Sequence, residues 1–90
     1  MDSVGELQLA RVYRQAALYD EAAPHYLQAT EDPQQKTVAR IELAQMRSWQ
    51  RSYDDAIALL REVLLAEPTN RQARLSLART LSWAGDYKES

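Results

Sequence analysis

Tyr53-Asp54-Asp55-Ala56 is the middle copy of a short phrase that occurs three times in this 90-residue chain. The other copies are Tyr19-Asp20-Glu21-Ala22 and Tyr87-Lys88-Glu89-Ser90, so the phrase returns every 34 residues. A fixed period of about 34 residues is the length of one helix–turn–helix unit in an array of helical repeats. The period therefore predicts an all-α chain in which each hairpin packs against its neighbours in sequence.

The overall composition is that of an ordered globular chain. Hydrophobic residues make up 46% and charged residues 27%, and ninety residues suffice for one small domain. The formal net charge of −2 argues against nucleic acid as a partner, because such binders carry a basic excess. No apolar run reaches the roughly 18 residues of a membrane span. The absence of cysteine excludes disulfides and leaves the compartment open between the cytoplasm and the bacterial periplasm.

Caps and apolar spacing predict five helices and the start of a sixth. The first helix begins with a capping box formed by Ser3 and Glu6. The third follows Asp32-Pro33, because an acidic cap with proline in the first turn is a typical helix start. The fifth is expected to start at Thr69 and to end at Gly85, a residue suited to a left-handed helix end.

The remaining boundaries follow from the same signals. The second and fourth helices are expected over about residues 20–30 and 54–67, and a sixth helix is expected to begin near Tyr87. The whole chain, 1–90, is then a single fragment of a helical array. It consists of repeat 3–36, repeat 37–70 and a partial repeat, 71–90, that holds a first helix and the start of a second.

The aligned repeats share a pattern of small and large positions. A Leu-Ala pair recurs on each first helix, an Ala and larger residues recur on the second helices, and a proline closes two repeats. The residues are Leu9-Ala10, Leu43-Ala44 and Leu77-Ala78, then Ala22, Tyr26, Ala29, Ala56, Leu60 and Val63, and finally Pro33 and Pro68. This pattern resembles the tetratricopeptide repeat. The resemblance implies a right-handed superhelical array of antiparallel helix hairpins, a solenoid of about two and a half repeats.

The resemblance also implies a class of function. Tetratricopeptide arrays are non-catalytic scaffolds that hold a protein or peptide on a concave face lined by the first helix of each hairpin. A narrower likeness is carried by Ala39-Arg40-Ile41-Glu42-Leu43-Ala44 and Ala73-Arg74-Leu75-Ser76-Leu77-Ala78, which are similar to repeats in bacterial envelope proteins for exopolysaccharide or cellulose export. Two alternatives therefore stand beside the scaffold. One is a periplasmic segment of an exporter that contacts glycan or export partners, and the other is a self-association module that forms a homo-oligomer through exposed end repeats.

Seven side chains are candidates for the concave binding face. They are Arg11, Arg14, Gln45, Trp49, Arg79, Ser82 and Trp83. Arginine can grip a carboxylate through two parallel hydrogen bonds, and an indole ring offers a flat face to a sugar, a proline or a cation. The set therefore favours an anionic protein partner or a polysaccharide. In the competing interpretation both tryptophans wedge between repeats and the arginines only pack. The family's clamp for C-terminal carboxylates needs an Asn that the matching positions lack.

The sequence gives no support for catalysis, a cofactor or a metal. His25 is the only imidazole, and Glu21 four residues earlier would bring the number of metal ligands only to two. A structural or catalytic metal typically needs three or four protein ligands. Neither a glycine-rich phosphate loop nor a nucleophile motif occurs. We therefore predict a chain that is not an enzyme and a histidine that is exposed on its helix.

Overall fold

Five α-helices make up the part of the chain that the structure describes. The computed structural model describes residues 3–89, with side chains over residues 5–85. The helices are α1 (Ser3–Gln15), α2 (Tyr19–Ala29), α3 (Lys36–Trp49), α4 (Tyr53–Ala66) and α5 (Arg71–Glu89). Within residues 3–89 there is no strand, which confirms the predicted all-α fold.

The chain forms two compact units, and the first is Met1–Leu43. In this unit α1 packs against α2. The residues that the hairpin buries are mostly small, which lets the two helices approach closely. They are Leu7 and Ala10 on α1, with Ala22, Ala23, Tyr26 and Ala29 on α2. Their spacing of three and four residues places them on one face of each helix, as expected of an amphipathic hairpin.

The second unit is Ala44–Ser90, and in it α4 packs against α5. The buried residues of these helices again follow a helical spacing. They are Ala56, Leu60 and Val63 on α4, with Ala73, Ser76, Thr80 and Ala84 on α5. Packing between adjacent helices in both units confirms a helical-hairpin repeat fold. The right-handed superhelix and the repeat boundaries stay predictions.

None of the helices over residues 3–89 is both long and apolar enough to cross a membrane. The longest is α5 with 19 residues, which is close to the length of a membrane span. Its sequence carries Arg71, Arg74 and Arg79, and charged residues at this density are too costly for a hydrocarbon layer.

Two sharp corners end the first helix of each hairpin. Ala17 has φ 61° and Arg51 has φ 64°, and the two residues lie 34 positions apart. After α1 the N–H of Leu18 donates to the carbonyl of Tyr13 at 2.9 Å, and Ala17 N–H donates to the carbonyl of Arg14 at 2.9 Å. The same two bonds recur after α3. This is the Schellman arrangement, in which a left-handed residue satisfies the last free carbonyls of a helix.

The third equivalent position, Gly85, behaves differently. Gly85 was expected to end the fifth helix, and a sixth was expected near Tyr87. Both expectations are wrong, because α5 continues through Gly85 to Glu89 and no glycine among the described residues has a positive φ. A Cβ placed on Gly85 would meet nothing within 4 Å, so no packed neighbour turns the backbone there. Glycine permits a left-handed end but does not impose one.

Two helix starts also differ from the sequence prediction. The third helix begins at Lys36, because the Asp32 carboxylate accepts the N–H of Gln34 at 2.9 Å and holds a turn before the helix. The fifth helix is capped by Asn70, whose Oδ1 accepts the N–H of Ala73 at 2.9 Å, and not by Thr69. Asn and Thr are both good caps, so spacing alone did not separate the two neighbours.

We expect that glycine at either corner stabilises the fold. A left-handed conformation costs a non-glycine residue about 1–2 kcal/mol, while glycine adds chain entropy to the unfolded state worth about 0.4–1 kcal/mol. Ala17→Gly and Arg51→Gly should therefore each raise the free energy of unfolding by about 0.5–1 kcal/mol in urea titrations. Ala58→Gly, at an exposed position within α4, is the control and should lower it by about 1 kcal/mol. Lower stability of both corner variants would contradict the left-handed conformation of Ala17 and Arg51.

The small positions Ala44 and Ala78 differ in burial. The recurring Leu-Ala pair predicts that its small residue lies where two helices cross closely, and Ala44 has no solvent exposure. Ala78 is exposed, so the expectation is wrong for this residue. The reason lies in helix geometry, since Ala78 faces away from the side of α5 that buries Ala73, Thr80 and Ala84.

This difference supplies a matched pair of variants. Ala44→Leu overpacks a filled site and should lower the unfolding free energy by about 1–3 kcal/mol. Ala78→Leu adds the same atoms at an exposed position and should change it by less than about 0.5 kcal/mol. Thermal melts followed by circular dichroism measure both. Equal midpoints for the two variants would show that the burial at Ala44 is wrong.

Candidate functional site

A cavity of about 160 Å³ lies in the second unit. It opens between the last turns of α3 and the middle of α5. Its lining contains only polar and aromatic side chains. They are Gln45, Ser48 and Trp49 from α3, with Ser76, Arg79, Thr80 and Trp83 from α5. A cavity of this size holds a group about as large as a benzene ring.

Two half-exposed indole rings line this cavity. Trp49 is 52% exposed and Trp83 is 43% exposed, and they lie 34 positions apart, at the same position of successive repeats. Arg79 is exposed and lies one helical turn before Trp83. Within residues 5–85, Arg79 has no ion-pair or hydrogen-bond partner. The lining therefore combines aromatic surface with a cation that has no ion-pair partner among residues 5–85.

The floor of the cavity consists of buried hydroxyl groups that already have partners. The Ser48 hydroxyl donates to the carbonyl of Gln45 at 2.7 Å, and the Thr80 hydroxyl donates to the carbonyl of Ser76 at 2.8 Å. Gln45 Nε2 donates to Ser76 Oγ at 3.3 Å and links the two helices. Among the described side chains no buried polar atom lacks a hydrogen-bond partner.

The comparison with known families gives one match. Residues 50–90, which include α4 and α5, match the family model described as tetratricopeptide repeat. Residues 50–90 are therefore similar to the tetratricopeptide repeat family. No curated protein and no solved structure matches the chain. The matched tetratricopeptide segment contributes Ser76, Arg79, Thr80 and Trp83 to the cavity.

The second unit brings together four of the seven candidate residues. Gln45, Trp49, Arg79 and Trp83 share the cavity, whereas Ser82 is exposed and is not part of the lining. Ser48, Ser76 and Thr80 line the cavity but were not among the predicted candidates. Ser76 and Thr80 lie one helical turn apart, and each lies one turn before a candidate residue, Arg79 or Trp83. This spacing was the available signal, but hydroxyl residues usually indicate an exposed face.

The other two candidates, Arg11 and Arg14, lie in the first unit and share one carboxylate. Arg11 Nη2 is 2.6 Å from Glu42 Oε2, and Arg14 Nη1 is 3.3 Å from Glu42 Oε1. The Tyr26 hydroxyl donates to Glu42 Oε1 at 3.0 Å. Both arginines are therefore ion-pair partners within the fold, and a binding role for them stays a prediction.

The Glu42 cluster changes two proton affinities. Burial pushes the pKa of Glu42 upward, but hydrogen bonds from Arg11 and Tyr26 and the two guanidinium charges outweigh it, so the pKa lies below its ordinary 4.5. Burial, followed by the charge of Glu42 and the hydrogen bond to it, raises the pKa of the Tyr26 hydroxyl. Glu42 is thus ionised at neutral pH and Tyr26 remains a hydrogen-bond donor.

His25 is half-buried in the first unit, contrary to the expectation that it is exposed. Its Nδ1 lies 2.6 Å from Glu6 Oε2, and its ring stacks on Tyr13 at a centroid distance of 5.4 Å. Its carboxylate partner thus lies on α1, and Glu21, the neighbour considered in the sequence analysis, is exposed. The described residues contain no cluster of three groups able to hold a metal ion.

We expect Glu42→Gln to destabilise the first unit by about 1–3 kcal/mol at neutral pH, because it removes a charged acceptor from three donors. Since the folded pKa of Glu42 is lowered, its contribution is present above the unfolded pKa and disappears as the pH falls through the folded pKa. The difference in unfolding free energy between wild type and variant should therefore become smaller below about pH 4.5. Urea titrations from pH 7 to pH 3 measure it.

The control is Glu31→Gln, which removes the charge of an exposed carboxylate. The unfolding free energy of Glu31→Gln should stay within about 0.5 kcal/mol of that of wild type over the same pH range. A Glu42→Gln gap that is constant with pH would contradict the role of the ionised carboxylate.

Proposed function

We propose that this chain is a non-catalytic protein-interaction scaffold and that the cavity of its second unit is the contact site for a polypeptide partner. The observation that carries the proposal is the pair of half-exposed tryptophans, Trp49 and Trp83, beside Arg79, which has no ion-pair partner among residues 5–85. Tryptophan and arginine are the residues most enriched among those that dominate binding energy at protein interfaces.

The exposed indole surface supports a binding role over a purely packing role. A tryptophan buries about 150–250 Å² when it is fully enclosed, and here about half of each ring remains in water. A partner that covers both rings would gain hydrophobic energy of about 25 cal/mol for each Å² of apolar surface removed from water. The exposed parts of the two rings therefore supply hydrophobic surface that a partner can cover.

The size of the cavity supports a polypeptide over a cofactor. Sites for drug-sized ligands enclose about 300–1,000 Å³, whereas this cavity holds about 160 Å³. One inserted side chain fills that volume, and the adjacent indole faces would contact the neighbouring residues of the partner. Arg79 favours a partner that presents an anion at the same place.

Two alternative functions compete with this proposal. An exopolysaccharide exporter segment would use Trp49 and Trp83 to stack on sugar rings, but a neutral glycan would leave Arg79 without an anion. A self-association module would use the exposed side of α5, where Leu75 is 51% exposed and Leu81 is 46% exposed. The indole pair and Arg79 lie together in one cavity, and for this reason we place the polypeptide first.

A selection experiment tests the proposed function. The immobilised chain is exposed to a phage-displayed library of random dodecapeptides, and enriched peptides are synthesised for titration calorimetry. We expect Trp83→Ala to weaken their binding at least tenfold, which corresponds to about 1.4 kcal/mol. Circular dichroism checks that helicity is retained. In wild type, bound peptide should also protect both tryptophans from iodide quenching.

The matched control is Leu65→Ala, which truncates an apolar side chain of α4 that is 84% exposed and outside the cavity. This variant should bind the peptides as wild type does. Failure to enrich any peptide, or equal binding by Trp83→Ala, would refute the proposal. Cellohexaose binding with protection of the tryptophans would favour the glycan alternative, and a dimer in sedimentation experiments that Leu81→Glu dissociates would favour self-association.

A further inference from the structure

The groove between successive first helices contains the same pair of positions in both units. In the first unit Arg11 donates to Glu42, and in the second Gln45 donates to Ser76, and each pair is separated by 31 residues. Position 45 is 11 plus 34 and position 76 is 42 plus 34, so the two pairs are equivalent under the repeat. The chemistry at the acceptor position differs, since one unit has a carboxylate and the other has a hydroxyl.

In the first unit the chain supplies its own anion to this groove. Glu42 accepts hydrogen bonds from the guanidinium groups of Arg11 and Arg14 and from the hydroxyl of Tyr26. The Glu42 side chain is only 15% exposed, so the carboxylate occupies the interior of the groove. Opposite charges and a neutral donor compensate it there, which is the condition for holding a charge away from water.

In the second unit the matching positions carry no such anion. They leave empty space and hydrogen-bond donors instead. Glu42 corresponds to Ser76, Arg14 to Ser48 and Tyr26 to Leu60. The side chain of serine is shorter than that of glutamate by two carbons and one oxygen, and Ser76 lines the cavity of about 160 Å³. Among residues 5–85 no acidic side chain lines that cavity, although Arg79 and the Gln45 amide do.

The donors around the cavity are arranged to receive a carboxylate. Gln45 Nε2 uses one N–H on Ser76 Oγ and carries a second one. Ser76 Oγ accepts that bond and retains its own proton for donation. Arg79 contributes a guanidinium group that has no partner among residues 5–85. A carboxylate is the acceptor that satisfies several donors of this kind at once.

We propose that the cavity of the second unit binds an acidic side chain of a partner polypeptide, in the place that Glu42 occupies in the first unit. The inference rests on the proposed function and specifies its ligand. The carboxylate lies between Arg79, Gln45 and Ser76, and apolar residues next to it in the partner cover Trp49 and Trp83. This ligand is an internal Asp or Glu side chain.

Two peptides that differ in one group test the ligand chemistry. The probes are acetyl-Gly-Leu-Glu-Leu-Gly-amide and the same peptide with Gln in place of Glu, both free of terminal charges. Titration is followed by ¹H–¹⁵N NMR through the indole N–H signals of Trp49 and Trp83 and the Nε–H signal of Arg79. We expect the Glu peptide to shift all three signals and the Gln peptide to bind at least fivefold more weakly.

Two variants test the site. Ser76→Glu restores the carboxylate that the first unit carries and should occupy Arg79 from within, so that binding of the Glu peptide is lost. Ser76→Gln adds similar volume without charge and should retain at least part of the binding. Because Ser76 is buried, its substitution can disturb the fold, so Arg79→Gln provides a second test at an exposed position. This variant should bind the Glu peptide at least tenfold more weakly. Arg61→Gln, on α4 and outside the lining, is its control and should bind as wild type does.

The outcomes separate this inference from the proposed function. Equal affinity for the Glu and Gln peptides, or unchanged binding by both Ser76→Glu and Arg79→Gln, would overturn the acidic ligand. If Trp83→Ala still weakens the selected dodecapeptides in that case, the interaction scaffold stands without it. Glutarate at the same concentration serves as a free carboxylate, and shifts as large as those of the peptide would overturn the assignment to a polypeptide side chain.

Discussion

The left-handed corners at Ala17 and Arg51 are the constraint on which the rest of the structure depends. Each corner ends a helix through two backbone hydrogen bonds and reverses the chain within a few residues. Neither corner uses glycine, so each holds an L-residue in a conformation that costs about 1–2 kcal/mol. Packing in each unit must offset that cost. The corner after α3 also fixes Trp49 as the last residue of its helix, at the edge of the cavity.

The two units use equivalent positions in opposite ways. The first unit fills the groove with Glu42 and neutralises it with Arg11 and Arg14, which contributes to folding stability. In the second unit, Ser76 and Gln45 close the floor with a neutral hydrogen bond, and no carboxylate among residues 5–85 pairs with Arg79. Donors that a chain satisfies internally are unavailable to a partner, so a repeat array can assign stability to one groove and recognition to the next.

Much of the fold follows from the sequence, because helix periodicity and a 34-residue repeat are strong local signals. All five helices, and the match of residues 50–90 to the tetratricopeptide repeat model, agree with the prediction. The errors concern places where several local choices are nearly equal in energy. Thr69 and Asn70 are both suitable caps, and Gly85 fits a helix end or a helix interior. Neighbouring atoms decide such cases, and a single sequence does not show them.

The candidate site was only partly predictable for a related reason. Periodicity gives the angle of a residue around its helix, which placed Gln45, Trp49, Arg79 and Trp83 on a common side. It does not show which element lies opposite. Arg11 and Arg14 have the same angle, yet a carboxylate 28 to 31 residues away already engages them. The hydroxyls of Ser48 and Thr80 were inconspicuous because each satisfies its bond within its own helix.

The hydroxyl groups at the floor of the cavity already have hydrogen-bond partners, and this has a kinetic consequence. A ligand that enters the cavity breaks no hydrogen bond of Ser48 or Thr80, because both hydroxyls donate to carbonyls of their own helices. Encounter is then limited by diffusion and orientation, for which association rate constants of about 10⁵–10⁷ M⁻¹s⁻¹ are typical. Differences in affinity among ligands would appear in how long each one stays, and a weakly held partner would exchange rapidly without any opening motion of the receptor.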